Sequence, residues 1–351
     1  MRKLLKRLGL GLAGLVALGL VVAVVIITAL ALPGVPAPDN SLRFVGFVPL
    51  PNSGRLLSIL DYLTVNGRTL YVTSESTGDV YEVPLSAGAL PTLDAVRTAH
   101  GEGAAHGVAI DPVSRLAFVT RSDVNHVDVF DPTSLRTLKS IGVADDVDGA
   151  LYDPADKLIY AVNGDPNSAT LIDPATRTNV GTVALGGKPE FAVFDPQTRL
   201  IYQNLADRNV VAVVDPAKRA VLDRWSLGPC QRPSSIALDQ ANRRLFVVCS
   251  GNALLVVLDL ASHRTVASLA IGGGPDSVAY DAGLRRIYAT GKSGVLSAVQ
   301  QDGPDAYRLL TNVNLHYGAH TLAVDPSTHR IYVAYASLLS PPRLAVFEPL
   351  H

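Results

Sequence analysis

The stretch "AHGEGAAHGVAID", residues 99–111, sets His100, Glu102 and His106 among glycines and alanines just ahead of an apolar run. A second stretch, "HYGAH", carries His316 and His320 near the C-terminus. Neutral imidazoles beside carboxylates make ligands for zinc, copper, iron or nickel. A carboxylate can also orient a histidine, or act as base toward a metal-bound water. These residues therefore offer two chemistries. One is a divalent transition metal held by His100, His106, His316 and His320. The other is a metal-free site with His106 or His320 as general base. Loop histidines at such spacings specify neither, unlike H-E-x-x-H on a helix. Polar side chains bonded only to water and backbone would account for the same pattern. Whether the two stretches meet depends on the elements that carry them.

Those elements repeat. A short apolar run ends in an acidic residue at Asp111, Asp153, Asp195, Asp239, Asp281 and Asp325, as in "VAIDP", "AVFDP" and "LAVDP". The first copy, "YLTVN", has Asn66 in that place, and successive spacings are 45, 42, 42, 44, 42 and 44 residues. Seven residues beyond each acid, an aromatic opens a second run: Phe118, Tyr160, Tyr202, Phe246, Tyr288 and Tyr332, with Tyr71 serving the shorter first copy. A third run ends at Asp131, Asp173, Asp215 and Asp259, and a fourth follows. Four short strands in ~42 residues, joined by turn residues, is the period of a propeller blade. Asp-Pro suits a tight reversal, because Asp bonds its own backbone and Pro presets φ. The expected fold is all-β: a seven-bladed β-propeller of four-stranded blades. The last copy lacks a strand, and "RFVGFVPL", residues 43–50, is available to close the ring on its outer edge. One domain would run from 41 to 351.

Sequences such as "LYVTS" (70–74) and "IYAVN" (159–163) resemble the YVTN-repeat β-propeller family of exported bacterial type. The resemblance covers nearly all of the chain after residue 40. It implies a seven-bladed propeller, in a family spanning surface-layer, binding and poorly characterised exported proteins. The chain also looks like the wider set of propellers that includes lactonases and the heavy chains of amine dehydrogenases. No family catalytic motif transfers to a position here.

Strand order places the Asp-Pro turns on one face of the ring and the loops between blades on the other. On that second face, five residues before each acid and before Asn66, stand Asp61, His106, Asp148, Glu190, Ser234, Asp276 and His320. Innermost strands line a propeller's channel, so these seven should ring its mouth. Asp61 or Glu190 would then serve as base, or would orient a ligand. The acids and bases of the Asp-Pro face read as turn aspartates amid solvated charge. Cys230 and Cys249 fall on the histidine-rich face of one blade and are expected to form a disulfide.

The net charge of −1, with signs interspersed, gives no nucleic-acid groove. No Gly-rich phosphate loop and no G-x-S-x-G elbow is present. At the N-terminus, Arg2, Lys3, Lys6 and Arg7 precede an uncharged run from Leu8 to Leu32. As a helix that run spans roughly 37 Å, enough for a hydrocarbon core of ~30 Å. Residues 1–32 therefore read as a basic stub and membrane anchor, or as a cleaved signal peptide, and 33–40 as a proline-rich linker. The cation bias puts the N-terminus in the cytoplasm and the propeller in the periplasm or outside, secreted if cleavage occurs. The leading functional expectation is an anchored extracytoplasmic propeller that binds a protein or small ligand through its funnel face. The alternative is a metal-assisted hydrolase, lactonase or lyase.

Overall fold

A computed structural model describes residues 36–37, 39–51, 54, 57–316, 318–335, 337–338 and 341–350, with residue 21 besides. Seven four-stranded antiparallel sheets stand around a channel. Their innermost strands are Leu60–Asn66, Ala105–Ile110, Val147–Asp153, Pro189–Asp195, Pro233–Asp239, Pro275–Asp281 and Leu322–Val324, which begin blades one to seven. Each packs on the next, and Leu322–Val324 meets Leu60–Asn66 to close the circle. In blade seven the outermost strand is Leu42–Pro49, paired antiparallel with Arg343–Pro349. The first and last described strands are thus tied into one sheet, which removes an open edge. Among the described residues no helix is long and apolar enough to cross a membrane. The expected anchor over 8–32 lies, residue 21 apart, outside the described residues.

The aspartates at the strand ends explain why the chain reverses where it does. Asp111, Asp153, Asp195, Asp239, Asp281 and Asp325 are all buried. Their carboxylates accept backbone N–H groups of the turn, Val113 to Asp111 at 3.0 Å and Gln197 to Asp195 at 3.0 Å. The residue four positions on is left-handed (φ 59° at Arg115, 60° at Arg199), and its N–H returns to the aspartate carbonyl at 2.8 Å. Solvated charge is therefore an incomplete account of this face. Arg243 of blade five reaches the fully buried Asp195 of blade four through two bonds of 2.9 and 2.7 Å. The aromatics that open the second strands fill the space between blades, Tyr160, Tyr288 and Tyr332 being wholly inaccessible. Trp225 does the same between blades four and five, stacked on His263 at 4.1 Å.

Cys230 and Cys249 are joined, with Cα atoms 5.4 Å apart, pinning the loop that enters blade five to the end of its second strand. Closing a loop of 19 residues' separation is worth about 3 kcal/mol. The Cys230→Ala/Cys249→Ala double variant should lose about that much in urea unfolding; an unchanged midpoint would show that the bond constrains nothing.

Candidate functional site

Six innermost strands carry an irregularity of register at their entry to the blade, between Leu60 and Leu63, Ala105 and Val108, Val147 and Ala150, Pro189 and Ala192, Pro233 and Ile236, and Pro275 and Ser277. A bulge re-aims the side chains it contains, and six of the seven residues expected at the channel mouth sit inside these bulges, His320 standing just before its strand. Asp61, His106, Asp148, Glu190, Asp276 and His320 line one cavity of about 360 Å³ at the mouth of the channel. Ser234 does not join them. Its hydroxyl is buried and donates to the Pro275 carbonyl at 2.8 Å, binding blade five to blade six.

Two of the four histidines proposed as ligands reach the cavity. His106 and His320 flank Asp61: His106 Nδ1 lies 2.5 Å from Asp61 Oδ2, and His320 Nε2 lies 3.9 Å from Asp61 Oδ1. His320 Nδ1 is 2.9 Å from the Gly318 carbonyl. His100 instead points outward, 82 % exposed, with Nδ1 at 2.8 Å from Asp79. His316 is buried against Tyr335, ring centroids 5.7 Å apart. The four-histidine ligand set is therefore not assembled. The donor atoms that do converge are those of Asp61, His106 and Asp148, all within 4.8 Å of one another. A metal there would replace the proton held between His106 and Asp61, and the mixed nitrogen and oxygen donors suit zinc or its neighbours.

Glycines in the opening stretch serve packing more than access. Gly101 leaves room for the Arg121 guanidinium, which a Cβ would strike. Arg121 bonds the Gly78 and Gly103 carbonyls and pairs with Asp128 at 3.0 Å. At Gly107 a Cβ would lie 2.4 Å from the Ala150 nitrogen, so this glycine permits the close approach of two innermost strands.

Other residues of the wall carry no signal in the acid-anchored ring. Glu75, Ser122 and Lys292 line the cavity from the position just after the second strands of blades one, two and six. Asp146 and Lys188 line it from two residues before the ring position in blades three and four. Reading the repeat one step beyond each second strand would have found the first group. The floor is aromatic. Tyr62 of blade one and Phe191 of blade four stack across the channel at 4.3 Å and 15°. Beyond them lies a further compartment of about 260 Å³, lined by Thr64, Asn66, Val108, Leu151 and Tyr152 among others.

Six carboxylates and two lysines thus share one cavity. Crowding of like charge shows in the protonation equilibria. Burial and the Asp61 charge push Asp148 up to about 7, against the pull of His106. Burial and Asp276 push Glu190 up to about 7, with Lys188, Lys292 and Arg232 opposing. Burial works against a charged His106, but the hydrogen bond and charge of Asp61, helped by Asp148 and Glu75, prevail and raise it to about 9. The Tyr62 hydroxyl stays neutral, raised by burial and the surrounding carboxylates.

For Glu190 the sign of the linkage is clear. Its folded value of about 7 exceeds the ordinary 4.5, so stability falls as pH rises between them and the cost is complete above 7. Glu190→Gln should raise the melting temperature at pH 8 and leave it nearly unchanged at pH 4.5. Equal shifts at both pH values would refute the raised Glu190 value.

The fold and this cavity define a seven-bladed propeller with an acidic, histidine-bearing funnel. No family model matches the chain, and no curated protein matches it. The YVTN resemblance accordingly rests on its repeat motifs alone. Among solved structures, Kuenenia stuttgartiensis hydrazine synthase matches with a TM-score of 0.69 at 15 % identity, covering 82 % of this chain and 94 % of that chain. At that identity the likeness is one of fold.

Proposed function

We propose that the protein binds a small cationic ligand in its funnel. The observation that carries this is the convergence of six carboxylates against two lysines on one cavity of about 360 Å³. A bound cation offsets the burial and the repulsion that together raise Asp148 and Glu190, so its charge is worth more here than on an open surface. The volume suits a small organic amine, and the Tyr62–Phe191 stack closes the site below. Titration calorimetry with 1,4-diaminobutane tests it. The expected result is one saturable site that weakens with salt and with Asp276→Asn; no heat above dilution would end this reading.

The convergence of Asp61, His106 and Asp148 supports a second reading, a divalent transition metal with His320 nearby. In it the protein is a metal-assisted hydrolase, lactonase or lyase. Elemental analysis of the purified protein separates the two. Our proposal includes a membrane anchor at 8–32 with the propeller outside the cytoplasm, supported by the uncharged run behind four cations. Recovery in the membrane fraction, lost on deleting residues 1–32, is the test.

A further inference from the structure

We propose that Ser122, His106 and Asp61 form a nucleophilic triad for acyl transfer at the wall of the funnel. Ser122 Oγ lies 2.8 Å from His106 Nε2, and His106 Nδ1 lies 2.5 Å from Asp61 Oδ2. Three different elements supply the groups. Ser122 follows the strand Ala117–Arg121, His106 sits in the bulge of Ala105–Ile110, and Asp61 belongs to blade one. All three face the same cavity. The Ser122 N–H donates to the Ala104 carbonyl at 3.2 Å, which fixes the hydroxyl's base one residue from the histidine strand. His106 and Asp61 side chains are only 14 % and 15 % exposed, so the imidazole is held in one orientation. A carboxylate can only accept, so in the neutral imidazole the proton sits on Nδ1 toward Asp61 and Nε2 is left to accept from the serine. Nucleophile, base and orienting acid are recognised by this geometry and not by chain order or an elbow motif.

The step balances without a metal. Ser122 Oγ attacks the carbonyl carbon of an ester while its proton passes to His106 Nε2. The carbon–oxygen bond to the leaving alcohol then breaks, and the alcohol takes that proton. Water repeats the sequence on the acyl-serine and releases the acid. Asp148 Oδ1, 3.6 Å from His106 Nδ1, adds a second negative charge beside the imidazolium formed on the way. Lys188 and Lys292, which line the same cavity from blades four and six, are its cations and could reach a developing oxyanion only by swinging across it. The substrate class is a small carboxylic ester bearing a positive charge, and that charge preference rests on the cationic reading of the funnel.

The test uses the full-length protein with EDTA present, from pH 7 to 10. A neutral fluorophosphonate should add covalently to Ser122, located by peptide mass spectrometry. Ser122→Ala should abolish labelling and lower 4-nitrophenyl acetate hydrolysis about 10³-fold. The mapped adduct on the unsubstituted protein decides the matter even if the variant fails to fold. Acetylcholine should be cleaved at least tenfold faster than its neutral isostere, 3,3-dimethylbutyl acetate. Labelling of Ser122 without that preference keeps the triad and overturns the cationic reading. Absence of an adduct on Ser122 at every pH overturns the triad.

Discussion

Arg121→Met is expected to cost about 3–5 kcal/mol of stability, because it strands a buried acid and two backbone carbonyls at once. The Arg121 side chain is 3 % exposed and that of Asp128 10 %. Without the guanidinium, Asp128 keeps, among the described residues, the Ser140 hydroxyl at 2.6 Å, and the Gly78 and Gly103 carbonyls lose the Arg121 donor. Methionine preserves most of the stem's packing, so the loss reports the charge and its hydrogen bonds. The double variant Arg121→Met/Asp128→Leu should recover part of it, since no unpaired charge is left behind. Urea unfolding at pH 7 measures both. A single variant within about 0.5 kcal/mol of the parent would mean that solvent reaches this pair.

The second large effect belongs to Asp61→Asn. Asp61 stands between two imidazoles and faces the funnel. Its neutral isostere should weaken 1,4-diaminobutane binding about 100-fold, or about 2.7 kcal/mol, as expected for a charge removed from a confined acidic site. The same change takes away the partner that holds His106 up at about 9. The His106 proton resonance should therefore titrate at markedly lower pH in the variant. In the parent, the stability drawn from this pair is present below the ordinary histidine value of 6.5 and disappears as pH rises through about 9. Unaltered affinity together with an unaltered His106 midpoint would remove Asp61 from the centre of the site.

The periodicity made the architecture legible. Six acids spaced by 42 to 44 residues, each followed by an aromatic seven positions on, with Asn66 and Tyr71 marking the shorter first copy, translate into seven sheets with buried turn aspartates and buried interblade aromatics. The same register placed Asp61, His106, Asp148, Glu190, Asp276 and His320 on one cavity. It failed at Ser234, which turns its hydroxyl to the Pro275 carbonyl of the next blade. It also overestimated His100 and His316, whose loops carry one outward to Asp79 and the other against Tyr335. Loop residues lie outside the strand period, so the repeat says nothing about where they point.

A linear pattern of turn acids, aromatics and apolar runs specifies which residues lie on a strand and on which edge, because alternation and reversal are local properties of the chain. That was enough for the blade count and for the Cys230–Cys249 pairing within one blade. Contacts between blades obey a different logic. The meetings of His106 with Asp61 and of Tyr62 with Phe191 depend on bulge geometry and on how closely strands of different blades approach once the ring has closed. Those distances come from packing around a common axis, which no spacing along the chain encodes.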